Sequence, residues 1–322
     1  MWYGISILFA VNAMPHQTKI KRKPRGVGAE AKAAADGESG VMLRLDFMEG
    51  EQRQRAKQYH AEYGEGTAVC MRLTAPWAGS GRYVVMDSAF GSFKTIVAML
   101  SVLGLFAIGM VKTAHRMFPK MWYKQWYDAG SQRGPDGRRI HEPGTWKTFQ
   151  TTFRKQGEEF DRTIFSVGWH DIKLKTLISS CGITTRGPDA IKTRHRRAWV
   201  NGEEVTQRYD RVVQRPWLIK LFFDIFGAVD QHDHLRQGSL ALEEVWQTHC
   251  WWHRILATVL GVIFTDCWLA YRHNELKFNR PVATYAEFLG RLAYQLINNP
   301  FLQEPNERRQ QRDYQREMVL FI

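Results

Sequence analysis

Two short acidic segments are where this sequence could do chemistry. Asp87 ends the run Arg82-Tyr83-Val84-Val85-Met86, which follows a turn at Gly79–Gly81. A short apolar run bounded by turn residues predicts a buried strand. A carboxylate at the carboxyl end of a strand combines a fixed backbone with an exposed side chain, a good post for a metal ligand. Asp87 reads equally as a turn residue or a cap for the helix expected near Ser92. The second segment, Asp230-Gln231-His232-Asp233-His234, follows Gly227-Ala228-Val229. Spacings of three and four put Asp230, Asp233 and His234 on one face of a helix. Such carboxylates repel unless a cation, a basic neighbour or a shared proton offsets them. A hard cation such as Mg²⁺, shared with a nucleic-acid phosphate, is one account. A solvated helix N-terminus favoured by its dipole is the other. His170 beside Asp171 reads as a hydrogen-bonded turn residue. The Cys250/His253 pair lacks the third, orienting group that a nucleophile needs.

The elements around these residues follow from the same patterns. Trp2 to Val11 is short and apolar, without a basic leader in front, and reads as a buried strand rather than a signal peptide. Lys19 to Lys32 is a basic loop, Asp36-Gly37-Glu38-Ser39-Gly40 a turn, and Val41 to Met48 a strand. Glu49 to Tyr63 predicts a helix. Phe93 to Leu103 predicts an apolar helix and Leu105 to Val111 a strand. Residues 129 to 161 look like a surface excursion, and Ile164 to Ser179 resumes strand-like alternation around Trp169-His170-Asp171. Arg186 to Arg215 carries eight arginines and lysines and few large aliphatics. From Trp217 to Tyr271 the pattern is long-helical, with an apolar face through Val245, Ile255, Val259 and Ile263. A last amphipathic helix spans Val282 to Asn298. Strands first, polar insertion next and helices last point to an α/β or α+β domain.

Composition limits the partners. The 322 residues hold 45 Lys and Arg against 32 Asp and Glu, a net charge of +13. That favours a polyanion, nucleic acid before an acidic membrane surface. With 44 % hydrophobic and 13 % aromatic residues, wholesale disorder is excluded. Cys70, Cys181, Cys250 and Cys267 show no CxxC spacing, so neither a zinc ribbon nor a disulfide scaffold is indicated, and most are expected to be buried as small hydrophobes. Thr95 to Val111 is short for a membrane span, and Ile255 to Ala270 is broken by Asp266, costly at bilayer depth. No stable span is expected. Trp251, Trp252 and Trp268 read as packing groups.

Taken in order, several segments resemble the piggyBac-like transposases and their domesticated or decayed descendants, in particular the algal and oomycete branch. Arg22-Lys23-Pro24-Arg25-Gly26-Val27-Gly28 resembles the family's stretch ahead of its second strand. Val85-Met86-Asp87-Ser88-Ala89-Phe90-Gly91-Ser92 resembles the motif of the second catalytic aspartate. Val167-Gly168-Trp169-His170-Asp171-Ile172-Lys173 is similar to the strand pair upstream of the basic region. Gly227-Ala228-Val229-Asp230-Gln231-His232-Asp233 resembles the motif of the third aspartate and its companion. Trp251-Trp252-His253-Arg254 fits the closing helix. The likeness covers roughly Met14 to Pro300.

The resemblance implies an RNase H-like α/β domain in which three aspartates hold two divalent ions for in-line phosphoryl transfer. Asp87, Asp230 and Asp233 would be catalytic and metal-binding, with Mg²⁺ or Mn²⁺ as the ion if active and no zinc site expected. DNA would be the partner, the nucleus the location, and a homodimer is compatible. Lys21, Arg22, Lys23, Arg25, Lys112, Arg194, Arg196, Arg197 and Arg236 would contact phosphate. The implied organisation is residues 14–111 and 216–300 as two parts of the catalytic domain, 112–215 as an insertion domain, and 301–322 as a charged tail. Departures from the family are specific. No Asp or Glu precedes Arg22, where its first catalytic aspartate lies, and Asn12 is the nearest polar candidate. Asp46 falls on a later strand. The first strand is therefore expected to be damaged or missing, in a truncated or degenerate chain. Neither the family's N-terminal DNA-binding material nor its cysteine-rich tail is recognisable. The expected function is a transposase-derived protein impaired in catalysis. A non-catalytic DNA- or chromatin-binding module is the alternative, and a membrane-associated protein a more distant one.

Overall fold

Apolar runs of four to nine residues, separated by glycine and aspartate turns, build the first half of the chain. In the computed structural model, residues 2–9, 14–19, 27–111, 117–137, 139–154, 161–200 and 203–299 are described. β1 (Trp2–Phe9), β2 (Gln17–Lys19), β3 (Val27–Ala35) and β4 (Met42–Phe47) come first. β1 pairs antiparallel with β3 over its whole length, from Trp2↔Ala35 to Phe9↔Gly28. β4 and β2 both pair with the outer side of β3. The Asp36 turn joins β3 to β4, its carboxylate accepting the Ser39 N–H at 2.8 Å and the Ser39 hydroxyl at 2.8 Å. Burial pushes this carboxyl up, but those bonds and the Glu38 N–H outweigh it and hold it below its ordinary value.

Three short helices follow: α1 (Glu51–Ala56), α2 (His60–Tyr63) and α3 (Glu65–Thr74). The single helix expected over Glu49–Tyr63 is thus broken. The break falls where Lys57 reaches the Asp46 carboxylate at 2.6 Å and Tyr59 takes φ 67°. Then come β5 (Tyr83–Met86), α4 (Phe93–Leu103) and β6 (Phe106–Met110), where the sequence places them. Ser92 caps α4 by accepting the Thr95 N–H, and Gly104 ends it in the left-handed region.

α5 (Lys120–Ser131) leads to β7 (Trp146–Phe153), β8 (Arg162–His170) and β9 (Leu174–Ser179). β9 pairs with β6, so these three strands continue the main sheet across the 112–215 stretch. The sheet order is β2-β3-β1-β5-β6-β9-β8-β7, with β4 beside β3. β1, β5 and β6 are parallel, β3 runs antiparallel to them, and β4, antiparallel to β3, runs in their direction. This is an α/β domain of mixed strands consistent with an RNase H-like fold. β1 stands between β3 and β5, paired along its length with β3 and at Trp2 and Tyr3 with β5.

Among the described strands, only β10 (Ala190–Val200) and β11 (Glu203–Val213) stand outside that sheet, as a two-stranded ribbon. The helical end comprises α6 (Trp217–Ile225), α7 (Ala228–Leu235), a π-type turn (Arg236–Leu240), α8 (Leu242–Val245), α9 (Trp251–Lys277) and α10 (Tyr285–Ile297).

Period-two alternation sorts the core into two layers. Ala34, Val84, Met86 and Ala107 face α3 and α4; Ala33, Val85 and Ile108 face Leu218, Ile219 and Phe222 of α6 and Ala228 and Val229 of α7. The expected apolar face of the long helix is corrected. Val245 and Ile263 are exposed, and α9 buries Ala257, Gly261, Thr265 and Trp268 instead. Small residues let it approach closely: a Cβ on Gly261 would lie 3.1 Å from Arg236 Cγ. By length and composition α9 could cross a membrane, and it is the one described helix that could. In this fold its Asp266 accepts the Met42 N–H at 2.7 Å and sits 3.1 Å from the buried His232 Nε2. Of the four cysteines only Cys70 is buried, which corrects the expectation for the rest.

Candidate acidic site and nucleic-acid interface

β5 delivers Asp87 to the carboxyl edge of the sheet, half-buried, as the sequence pattern requires. Its side chain accepts the Ala89 N–H, and its carbonyl accepts the N–H groups of Phe90 and Gly91 at 3.2 and 3.0 Å. The turn reading of Asp87 is therefore realised. It also leaves the residue at a strand end, where a ligand is most exposed. The turn is wedged against β6: a Cβ on Gly109 would lie 2.7 Å from Gly91 Cα, and one on Gly91 would strike the Met110 carbonyl. Only glycine at both positions permits this approach.

α7 carries the second acidic segment over the same sheet. Ala228 and Val229 bury against Ala33 and Val85, and Asp230 follows them, exposed, in the first turn. Asp233 lies further along, its side chain 17 % exposed, 3.1 Å from the guanidinium of Arg236. Arg236 is 2 % exposed and also pairs with the buried Glu243. The residue expected to contact phosphate is thus an internal counter-ion. It is one of the offsetting neighbours that clustered carboxylates require.

The register fixes which β1 residue stands beside Asp87. β1 pairs with β5 as Trp2↔Val85 and Tyr3↔Met86, so Gly4 stands level with Asp87. Gly4 is opposite Ala33, on the face against which α7 packs. The sequence reading missed Gly4, since a glycine carries no chemical signal and only strand pairing marks it. Asn12 lies outside the described residues. Asp46 is on β4, two strands away, and its two oxygens hold Lys57 and Arg72, each at 2.6 Å. Asp87 thus stands at the end of β5 and Asp230 and Asp233 on α7, which packs on the Ala33–Val85 face of the sheet, and β1 carries no acid. Among the described residues no three His, Cys, Asp or Glu side chains are gathered as an ion would need.

The basic candidates divide. Lys21, Arg22, Lys23, Arg25 and Lys112 lie outside the described residues. Arg196 and Arg197 are exposed on β10, where Arg196 Nε donates to Gln207 at 2.9 Å and Arg197 sits 3.3 Å from Glu204. Arg194 is half-buried and paired with Asp171. The ribbon itself was not foreseen, although Asn201-Gly202 between two runs rich in Thr, Val, Tyr and Trp is a strong hairpin signal. β10 register puts Lys192, Arg194 and Arg196 on one face, opposite Arg211, Tyr209 and Gln207 of β11.

Comparison with known proteins follows this geometry. No curated protein matches the chain. The fold is similar to that of the piggyBac transposase in a cryo-EM structure of its synaptic complex with hairpin DNA, with a TM-score of 0.61 and 19 % identity. The match covers 97 % of this chain and 56 % of that one, so this chain spans little more than half the length of that transposase. The family model described as Transposase IS4 matches residues 6–268, most of the sequence, and the chain belongs to that transposase family.

Proposed function

We propose that this protein is a transposase-derived, DNA-binding member of its family, of piggyBac-like descent, in which strand-transfer chemistry is impaired. One observation carries the reading: the β1 position level with Asp87 is Gly4, where a third carboxylate is needed to hold two ions. Asp87, Asp230 and Asp233 then act as the remains of an acidic site, and any residual Mg²⁺ or Mn²⁺ chemistry would be weak. DNA as partner is supported by the net charge of +13 and the exposed arginines of the ribbon. It is further supported by the fold's likeness to a transposase captured with hairpin DNA. On this reading the protein acts on chromosomal DNA in the nucleus.

The test is Mg²⁺- or Mn²⁺-dependent nicking and joining of labelled duplex DNA, beside an Asp230→Ala variant, with binding measured in parallel. Salt-sensitive binding without cleavage in either protein is the expected result. Cleavage that disappears in Asp230→Ala would overturn the impaired-enzyme reading. Absence of both binding and cleavage would overturn DNA binding as well.

A further inference from the structure

A cavity of about 530 Å³ opens between the β10–β11 ribbon and the segment linking α5 to β7. Four arginines line it, Arg133, Arg139, Arg194 and Arg211, with Tyr209 in the wall and two carboxylates, Glu142 and Asp171. Asp171 is committed to Arg194, and Glu142 lies 3.7 Å from Arg211 with its side chain 79 % exposed. Arg133 donates one N–H to the Gly137 carbonyl at 2.8 Å. Arg139 is exposed on the strand-like bridge to Arg133. The two carboxylates answer two of the guanidinium groups, which leaves the cavity with an excess of two positive charges.

We propose that this cavity is the anchoring end of a clamp for the phosphate backbone of duplex DNA, and that the ribbon face above it is the rest of the clamp. Register places Lys192 and Arg211, Arg194 and Tyr209, and Arg196 and Gln207 as opposite pairs along one face. On this face the ribbon's one acid is Glu203, opposite Val200 at the far end of the ribbon. The acids Asp210 and Glu204 pair with Thr193 and Arg197 on the other face. Cations two residues apart on a strand are separated by about 6.8 Å, of the order of the distance between successive phosphates along one strand. A two-stranded ribbon is also narrow enough to lie along a DNA groove. Guanidinium groups suit the task because their planar donors meet phosphate oxygens in pairs. The inference rests on the DNA-binding reading above and assigns its principal contact surface to this ribbon.

The experiment measures binding of a fluorescent duplex by anisotropy across a salt series, using the full chain. The double variant R139Q/R211Q is compared with wild type and with R53Q/R55Q, exposed arginines on α1 that serve as a charge-matched control. Each lost phosphate contact lowers the slope of log K against log salt by about 0.9, so the pocket variant should lose about 1.8 and the control nothing. A thermal melt establishes that the variants are folded. R139Q alone, on an exposed loop, serves where the double variant does not fold. Equal slopes in wild type and pocket variant, or an equal loss in the control, would overturn the clamp and leave DNA binding intact. No salt-dependent binding by wild type would overturn the DNA-binding reading itself.

Discussion

The internal arginine of the acidic helix gives a prediction whose size follows from burial. Arg236 is 2 % exposed, Glu243 side chain 3 %, and Asp233 side chain 17 %. Replacing Arg236 with Met keeps an unbranched stem against Gly261. It takes the cation from beside Glu243, which has no route to water, and one cation from Asp233, which is partly exposed. Breaking a buried pair from one side costs about 3–5 kcal/mol, and Glu243 should account for most of it. In the double variant R236M/E243M both charges leave together, and the cost should fall to about 1 kcal/mol or vanish. Urea denaturation at pH 7, with the m-value checked for constancy, yields the coupling from the double-mutant cycle. Several kcal/mol of coupling is expected. Additive costs, within about 0.5 kcal/mol, would refute the view that Arg236 is a counter-ion rather than a surface cation.

Three further outcomes are expected. Gly4→Asp adds a carboxylate level with Asp87 under α7, and Mn²⁺ should then stabilise the protein where wild type responds weakly, by about 2.7 kcal/mol at a hundredfold excess over the dissociation constant; equal Mn²⁺-dependent melting shifts in both proteins would place the vacated position elsewhere. Gly109→Ala drives a methyl into Gly91 Cα and should cost at least about 1–3 kcal/mol in a chemical melt, whereas a neutral effect would contradict the tight seating of the Asp87 turn on β6. His170 is fully buried, and burial, with Arg139 and His141 nearby and only partly offset by Asp171, holds its imidazole below the ordinary value. The folded state favours the neutral ring, so this contribution to stability is present above about pH 6.5 and is lost as pH falls through the lower folded value. His170→Gln should therefore flatten the stability–pH curve on the acid side of neutrality, and an unchanged curve would remove His170 as its source.

Legibility varied with how local each signal was. The Tyr83–Met86 strand, the Phe93–Leu103 helix and the turn at Asp36 were readable because apolar runs, a Ser cap and Gly/Asp punctuation act within a few residues. β7 reads as a surface excursion because Trp146–Phe153 mixes Lys, Gln and Thr with its aromatics; half of its residues are exposed and none is fully buried. The ribbon was hidden by its charge: eleven-residue strands with few aliphatics do not resemble core strands. The buried face of α9 was misjudged because hydropathy favours Ile and Val, whereas close packing selected Ala257, Gly261 and Thr265.

The sequence by itself determined the class of fold, the positive charge and the two acidic segments around Asp87 and Asp230, since composition, periodicity and motif order are properties of the linear chain. It also determined the absence of an acid ahead of Arg22. Tertiary structure alone decided which β1 residue lies beside Asp87. Strand register, which depends on long-range pairing between β1, β3 and β5, singles out Gly4 as the position beside Asp87. Burial decided Arg236, because a helix's sequence does not state which neighbour will close over it. Pairing decided the basic pocket, by bringing Arg133 and Arg139 beside Arg194 and Arg211 from residues far apart in the chain.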